Sequence, residues 1–387
     1  MILYEGYLFY VCLTAALIPA IILGILQKPL RNYNLFISLV FILLTLSGNV
    51  SQLYSFFGFF IAEAILVQGY LSIRKKYGRD QKLYYIAVFL SILPLILNKS
   101  APIFNESLFG ILGISYLTFR TVQMIIEIYD GVITEVPFGE YAGFILFFPA
   151  LSCGPIDRSR RFHEDWITTY ERDEYLNLAG TGIFKILLGI VYKLILAVQF
   201  YKVMEFFDGG QWYCVIGYAY MYGFYLFFDF AGYSLMAVGT SYVLGIKTPD
   251  NFRKPFIAKD MRDFWDRWHI SLSYWFRDFI FSRFIMKCVK KKWFNTRLQR
   301  ASMGFMVNML IMGMWHGLTL SYVLYGLYHG ILLALTEIYQ KKSQLYKKYK
   351  DKNTYQLLSW FITLQLVMFG FLVFSGKFTE LLNLGGY

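Results

Sequence analysis

Three of the four histidines in this 387-residue chain sit where an ionisable side chain is costly. His316 and His329 fall inside the apolar stretch NMLIMGMWHGLTLSYVLYGLYHG (308–330), each followed by glycine, and His269 closes the charged run NFRKPFIAKDMRDFWDRWH (251–269). A polar ring in hydrocarbon must find a partner or a task. The task an imidazole suits is proton transfer, because an unperturbed pKa of about 6.5 lets the neutral ring accept a proton near physiological pH. The glycine after His316 would let backbone or substrate come close to the ring. Each position also has a plainer reading: helix packing for His316, membership of an interfacial charged cluster for His269, and a structural or cavity-lining role for His329. His163, after RSRRF, reads as loop surface.

Other residue types add weaker signals. Asp229 interrupts the apolar FFDFAGYS (227–234), either as a cavity-lining carboxylate that orients substrate or histidine, or as a partnered structural one. Trp315, beside His316, joins the candidate cavity lining. Asp263, Asp266, Arg262, Arg267 and Arg277 are too many charges for a lipid-facing helix, and suit an interface or a polar cavity where opposite charges pair. Cys12, Cys153, Cys214 and Cys288 are scattered with no metal-ligand spacing, so no metal is expected. Cys153, in LSCGPIDRSRR, is either a nucleophile or a buried structural thiol, and no histidine partner for it is identifiable. Across FSRFIMKCVKKKWF (281–294), Ile285, Met286, Val289 and Trp293 form one helical stripe, with Lys287, Lys290, Lys291 and Arg297 flanking or following it. That pattern fits an acidic helical partner carrying a phosphate, or an amphipathic helix lying on anionic lipid.

The elements that must position these residues are membrane helices. Hydrophobic residues make up 57% of the chain and charged ones 16%, too apolar a balance for a soluble protein of this length. Apolar runs recur near 5–27, 34–48, 53–73, 83–97, 107–129, 176–203, 212–244, 304–338 (two passes) and 356–375. With about 20 residues needed per span, they predict an all-α polytopic protein of about ten to eleven helices in one domain over 1–387, its catalytic core near 212–338. The run 5–27 lacks a basic leader and reads as a retained first membrane helix. Basic clusters at 28–31, 74–82, 158–161, 287–300 and 341–352 predict cytoplasmic loops and an extracellular N-terminus. Nucleic acid is not an expected partner, since no soluble domain carries an aromatic-interleaved basic groove.

His269 within DFWDRWHISLSYWFRDFIF (263–281) and His316 within MGMWHGLTLSYVLYGLYHG (312–330) resemble the two signature regions of the membrane-bound O-acyltransferase family. LFFPALSCGPIDRSRRF (146–162) and GISYLTFRTVQMIIEIYDG (113–131) are similar to its bacterial branch that D-alanylates teichoic acid. The resemblance implies a ring of helices around a thinned core with a tunnel, and acyl transfer from a thioester to a hydroxyl. It implies His316 as the essential residue and His269 as its companion. The donor would be the 4'-phosphopantetheine arm of an acidic D-alanyl carrier protein in the cytoplasm, with no tightly bound cofactor. The acceptor would lie outside, as teichoic acid or a relay hydroxyl, alongside other membrane proteins of the D-alanylation system. Carrier docking would then fall to Ile285, Met286, Val289 and Arg297. Irregular backbone is expected at 141–153, 212–246 and 251–281. Two alternatives stay open: an O-acetyltransferase of an exported polysaccharide, and a proton-coupled transporter, for which no internal repeat is found.

Overall fold

The computed structural model describes residues 1–104, 111–152 and 154–382, so Cys153 lies outside the described residues. Within them the chain is helical, with no strand. It divides into two compact units, residues 1–191 with 232–250, and residues 192–231 with 251–387.

The first unit contains α1 (Gly6–Ile25), α2 (Arg31–Leu46), α3 (Val50–Tyr77), α4 (Gln81–Phe104), α5 (Ile114–Asp130), α6 (Phe138–Leu146), α7 (Ser159–Ile167) and α8 (Arg172–Ile190). Helix α5 is its core, with 14 of 17 residues buried. A polar side chain left unpaired in an enclosed helix is costly, and α5 pairs most of its own, the Thr118 hydroxyl and the Arg120 Nε excepted. Gln123 donates to the Asp157 carbonyl at 2.9 Å, Ser159 donates to Glu127 at 3.3 Å, and Thr121 meets Ser91, itself donating to Glu63 at 2.8 Å. Arg120 donates to the carbonyls of Phe144, Ile145 and Ala150. Those first two carbonyls lie in the last turn of α6, which stops at Phe147 before a 3-10 turn over Phe148–Ala150. The guanidinium thus satisfies carbonyls that the broken helix leaves without intrahelical partners. Irregular backbone stands in the 141–153 run as expected.

From α8 the chain passes through a π turn, Val191–Leu196, into α9 (Ala197–Glu205), then into α10 (Trp212–Val243). Helix α10 is unbroken over 32 residues, so the irregularity expected at 212–246 is absent. The run rich in Phe, Tyr and small residues keeps a continuous backbone because its glycines face neighbours: a Cβ on Gly239 would meet Ile186, and one on Gly182 would lie 2.6 Å from the Gly239 carbonyl. The interruption falls instead at the π turn.

In the second unit follow α11 (Met261–Trp265), α12 (Ile270–Phe276), a π turn at Arg277–Phe281, α13 (Ser282–Lys290), α14 (Arg297–His316), α15 (Leu320–Lys342), α16 (Gln344–Tyr349), α17 (Asn353–Phe374) and α18 (Lys377–Leu381). The charged 251–281 segment is broken, as predicted. Asp260 caps α11 by accepting from the Arg262 and Asp263 amides, both at 2.9 Å. His269 adopts a left-handed backbone, φ 45°, that separates α11 from α12. Glycine contacts bring α14 and α15 together: a Cβ on Gly326 would lie 2.5 Å from the Met309 carbonyl, and one on Gly330 would meet Met306.

Among the described residues, six helices are long and apolar enough to cross a membrane: 6–25, 50–77, 81–101, 172–205, 212–243 and 353–374. The other expected runs are helical too, but α2 is short at 16 residues, α5 carries Arg120 and Glu127, and α14 and α15 carry charge at their ends.

Candidate active site

His316 is the last residue of α14, and its ring is enclosed by aromatic side chains. Ring centroids lie 4.6 Å away for Trp315, 5.0 Å for Phe374, 5.9 Å for Tyr322 and 6.3 Å for Tyr325. Gly317 has extended backbone, and a Cβ there would strike the Tyr322 ring at 2.7 Å. The glycine therefore makes room for Tyr322, not for substrate. His269 is 3% exposed, lies within electrostatic reach of His316, and packs its ring on Phe230 at 4.7 Å. Its Nδ1 has no hydrogen-bond partner. Two of the histidines singled out from the sequence, 47 residues apart in the chain, thus lie within electrostatic reach of each other.

His329 sits on α15, one helix beyond His316. Its Nδ1 accepts from the Trp265 indole at 3.3 Å, while a Cβ on Gly370 would lie 2.5 Å from its Nε2. Phe264, Trp265, Tyr325 and Tyr328 surround the ring. Such a closed cage leaves little room for a substrate. Asp229 is ion-paired with Lys193 at 2.7 Å, a partner the sequence reading had not found. His163 lies on α7, not in a loop, 2.8 Å from Glu140, because RSRRFHEDW forms an amphipathic helix.

A cavity of about 120 Å³ lies in the second unit, lined in part by Trp265, whose indole donates to His329. Arg262, Asp266 and Arg277 line it, with Asn308, Met309 and Met312 along α14. Met312 precedes His316 by about one helical turn. Burial raises the Asp266 carboxyl above its usual value, against the pull of Arg277 and Arg262. Asn308 was the signal available in the sequence, a polar amide in an apolar run.

Of the stripe on α13, Met286 and Val289 are 59% and 58% exposed, whereas Ile285 lies near Gly304 of α14. Trp293 is not on this helix, which ends at Lys290. Lys292 and Phe294 take positive φ, so the chain turns back and sets Trp293 under the Lys287 ammonium, 5.8 Å from its ring. Arg297 is exposed at the start of α14, behind a Thr296–Gln299 capping box.

The model of the membrane-bound O-acyltransferase family matches residues 34–377. The chain belongs to that family. Membership makes it an acyltransferase. A teichoic acid D-alanyltransferase of Bacillus subtilis (strain 168) is 42% identical over 97% of this chain and 98% of its own length. Teichoic acid D-alanyltransferases of Streptococcus thermophilus and Lacticaseibacillus rhamnosus are 41% and 38% identical, each over 98% of this chain and over 96% and 98% of their own lengths.

Proposed function

We propose that this acyltransferase moves D-alanine from a carrier-protein thioester to a hydroxyl across the membrane, for D-alanylation of teichoic acid, with residues 1–387 acting as one catalytic domain. The observation that carries the reading is the near-full-length match to teichoic acid D-alanyltransferases on a chain that keeps His269 and His316 within electrostatic reach of each other. His316, as neutral imidazole, takes the proton of the acceptor hydroxyl while the oxygen attacks the thioester carbonyl. The tetrahedral adduct collapses with cleavage of the carbon–sulfur bond, and the imidazolium returns the proton to the departing thiolate. His269 is placed to orient or share that proton. Asp229, Trp315 and His329 hold the surrounding helices and rings in place.

The pantetheine arm would approach along the cavity lined by Arg262, Arg277, Asn308 and Met312. Met286, Val289 and Trp293, exposed among Lys287, Lys290 and Lys291, suit an acidic helical carrier. Arg297 stands close by in sequence and would take the arm's phosphate. Ion pairs favour one side for the basic loops of the first unit: Arg79 bonds Asp130 at 3.1 Å and Arg160 lies 3.8 Å from Glu127, joining the 74–82 and 158–161 clusters to the same end of α5. That end is cytoplasmic and the N-terminus extracellular by the positive-inside rule. The test is transfer of radiolabelled D-alanine from its carrier to teichoic acid in membranes containing this protein. Labelled ester on the polymer is expected. Transfer of acetyl in place of D-alanine would overturn the substrate assignment.

A further inference from the structure

The ion pair between Lys193 and Asp229 stands in an unusual place. The Nζ–Oδ1 distance is 2.7 Å, and the lysine side chain is only 10% exposed. Both residues belong to helical stretches, 172–205 and 212–243, that are long and apolar enough to cross a membrane. Charges at such positions are costly and mark function more often than cohesion. Cohesion between these helices is already supplied by aromatic rings: Phe200 stacks on Phe228 at 5.3 Å, and Tyr201 meets Tyr225 at 5.3 Å. Lys193 is carried on the π turn Val191–Leu196. Such a turn inserts one extra residue into a helix, and single π turns are frequent at functional sites.

The residue after Asp229 explains the use. Successive helical positions point about 100° apart, so α10 turns Asp229 toward Lys193 and Phe230 toward His269, ring to ring at 4.7 Å. His269 sits in a left-handed backbone conformation and its Nδ1 makes no hydrogen bond. Packing on Phe230 therefore does much of the work of fixing that imidazole.

We infer that the Lys193–Asp229 pair is a positioning device: it sets the rotation and register of α10, and through Phe230 the orientation of the His269 ring. The inference rests on the acyl-transfer reading above. A shift of about 1 Å at a reacting group can cost about 10²-fold in rate, so a partial loss of register is expected to appear in kcat, with KM for the donor little changed.

The experiment measures transfer kinetics from carrier-bound D-alanine in membranes, per unit of folded protein, for Asp229→Asn, Lys193→Met, the reciprocal Lys193→Asp/Asp229→Lys, Phe230→Leu, and Asp229→Asn combined with Phe230→Leu. Asp229→Asn and Lys193→Met are each expected to lower kcat about tenfold, with KM moving less than about twofold. The reciprocal pair is expected to recover most of the loss. Phe230→Leu is expected to lower kcat as well, and Asp229→Asn to add less than about twofold on that background, since coupled positions are not additive. A tenfold effect that persists in the Phe230→Leu background, or wild-type kcat in Asp229→Asn, overturns the inference. Should Asp229→Asn fail to accumulate, Asp229→Glu, which keeps the pair, must retain kcat and Phe230→Leu must lose it; either failing overturns the inference. His316→Ala separates the two ideas. Transfer in that variant removes the acyl-transfer site itself, whereas a dead His316→Ala beside a normal Asp229→Asn removes only the positioning device.

Discussion

Helix α5 in the first unit and the α14–α15 hairpin in the second both carry polar side chains through apolar surroundings, and they treat them differently. Along α5, Arg120 is spent on backbone carbonyls, Gln123 on the Asp157 carbonyl and Glu127 on Ser159 and Arg160. Around the hairpin, His269 keeps a buried nitrogen without a partner, and His316 is enclosed by rings. Buried polar atoms are normally paired, and an exception asks for an explanation. For His269 the explanation we propose is chemistry: a reacting hydroxyl or thioester would supply the partner that the protein withholds. His329 shares a hairpin and a following glycine with His316; Trp265 donates to its Nδ1, while its Nε2, like His269 Nδ1, is buried without a partner.

The comparison breaks most easily at Arg120. Arg120→Leu removes the donors to the broken end of α6 and leaves buried carbonyls unpaired, each costing about 1–3 kcal/mol. Against a total stability of about 5–15 kcal/mol that is a large fraction. Loss of folded protein from membranes, read by size exclusion in detergent, is the expected outcome. A folded but inactive protein would move Arg120 to the catalytic side of the comparison.

The sequence carried much of this contrast. Apolar periodicity located the helices, and the scarcity of histidine drew attention to three histidines, because an imidazole in an apolar run is costly. Pairwise geometry was not legible. Nothing in the local sequence tells that Asp229 meets Lys193 across two helices, or that Gly317 yields its space to Tyr322. Spacing alone continued α13 through Trp293, since a stripe pattern contains no sign of the positive φ at Lys292 and Phe294. The irregular backbone expected at 212–246 gives way to an unbroken α10, whose glycines at 217, 223 and 239 are where neighbours come close. The buried role of Arg120 was equally hidden, being fixed by where α6 stops.

The carrier surface sharpens the comparison, because it is a third treatment of apolar groups: exposed and awaiting a partner. Met286→Asp or Val289→Asp is expected to weaken carrier binding in detergent by several kcal/mol, on the order of an unpaired charge in an apolar contact, while leaving membrane insertion intact. Unchanged carrier binding would assign the stripe to lipid. Arg297→Ala is expected to lower transfer from the carrier, with Arg297→Lys only partly restoring it. A smaller effect concerns sidedness. A cysteine at Arg79 is expected to resist impermeant thiol reagents in intact cells and one at Ser100 to react; the reverse would put the carrier surface outside the cell.

The most direct measurement is single-turnover transfer by His316→Ala, with carrier binding and folded yield measured on the same preparation. Loss of a general base costs about 10²–10⁴-fold, so transfer is expected to fall by at least that factor while binding and yield stay at wild-type levels. Transfer above half of the wild-type rate would contradict the assignment of His316 as the base.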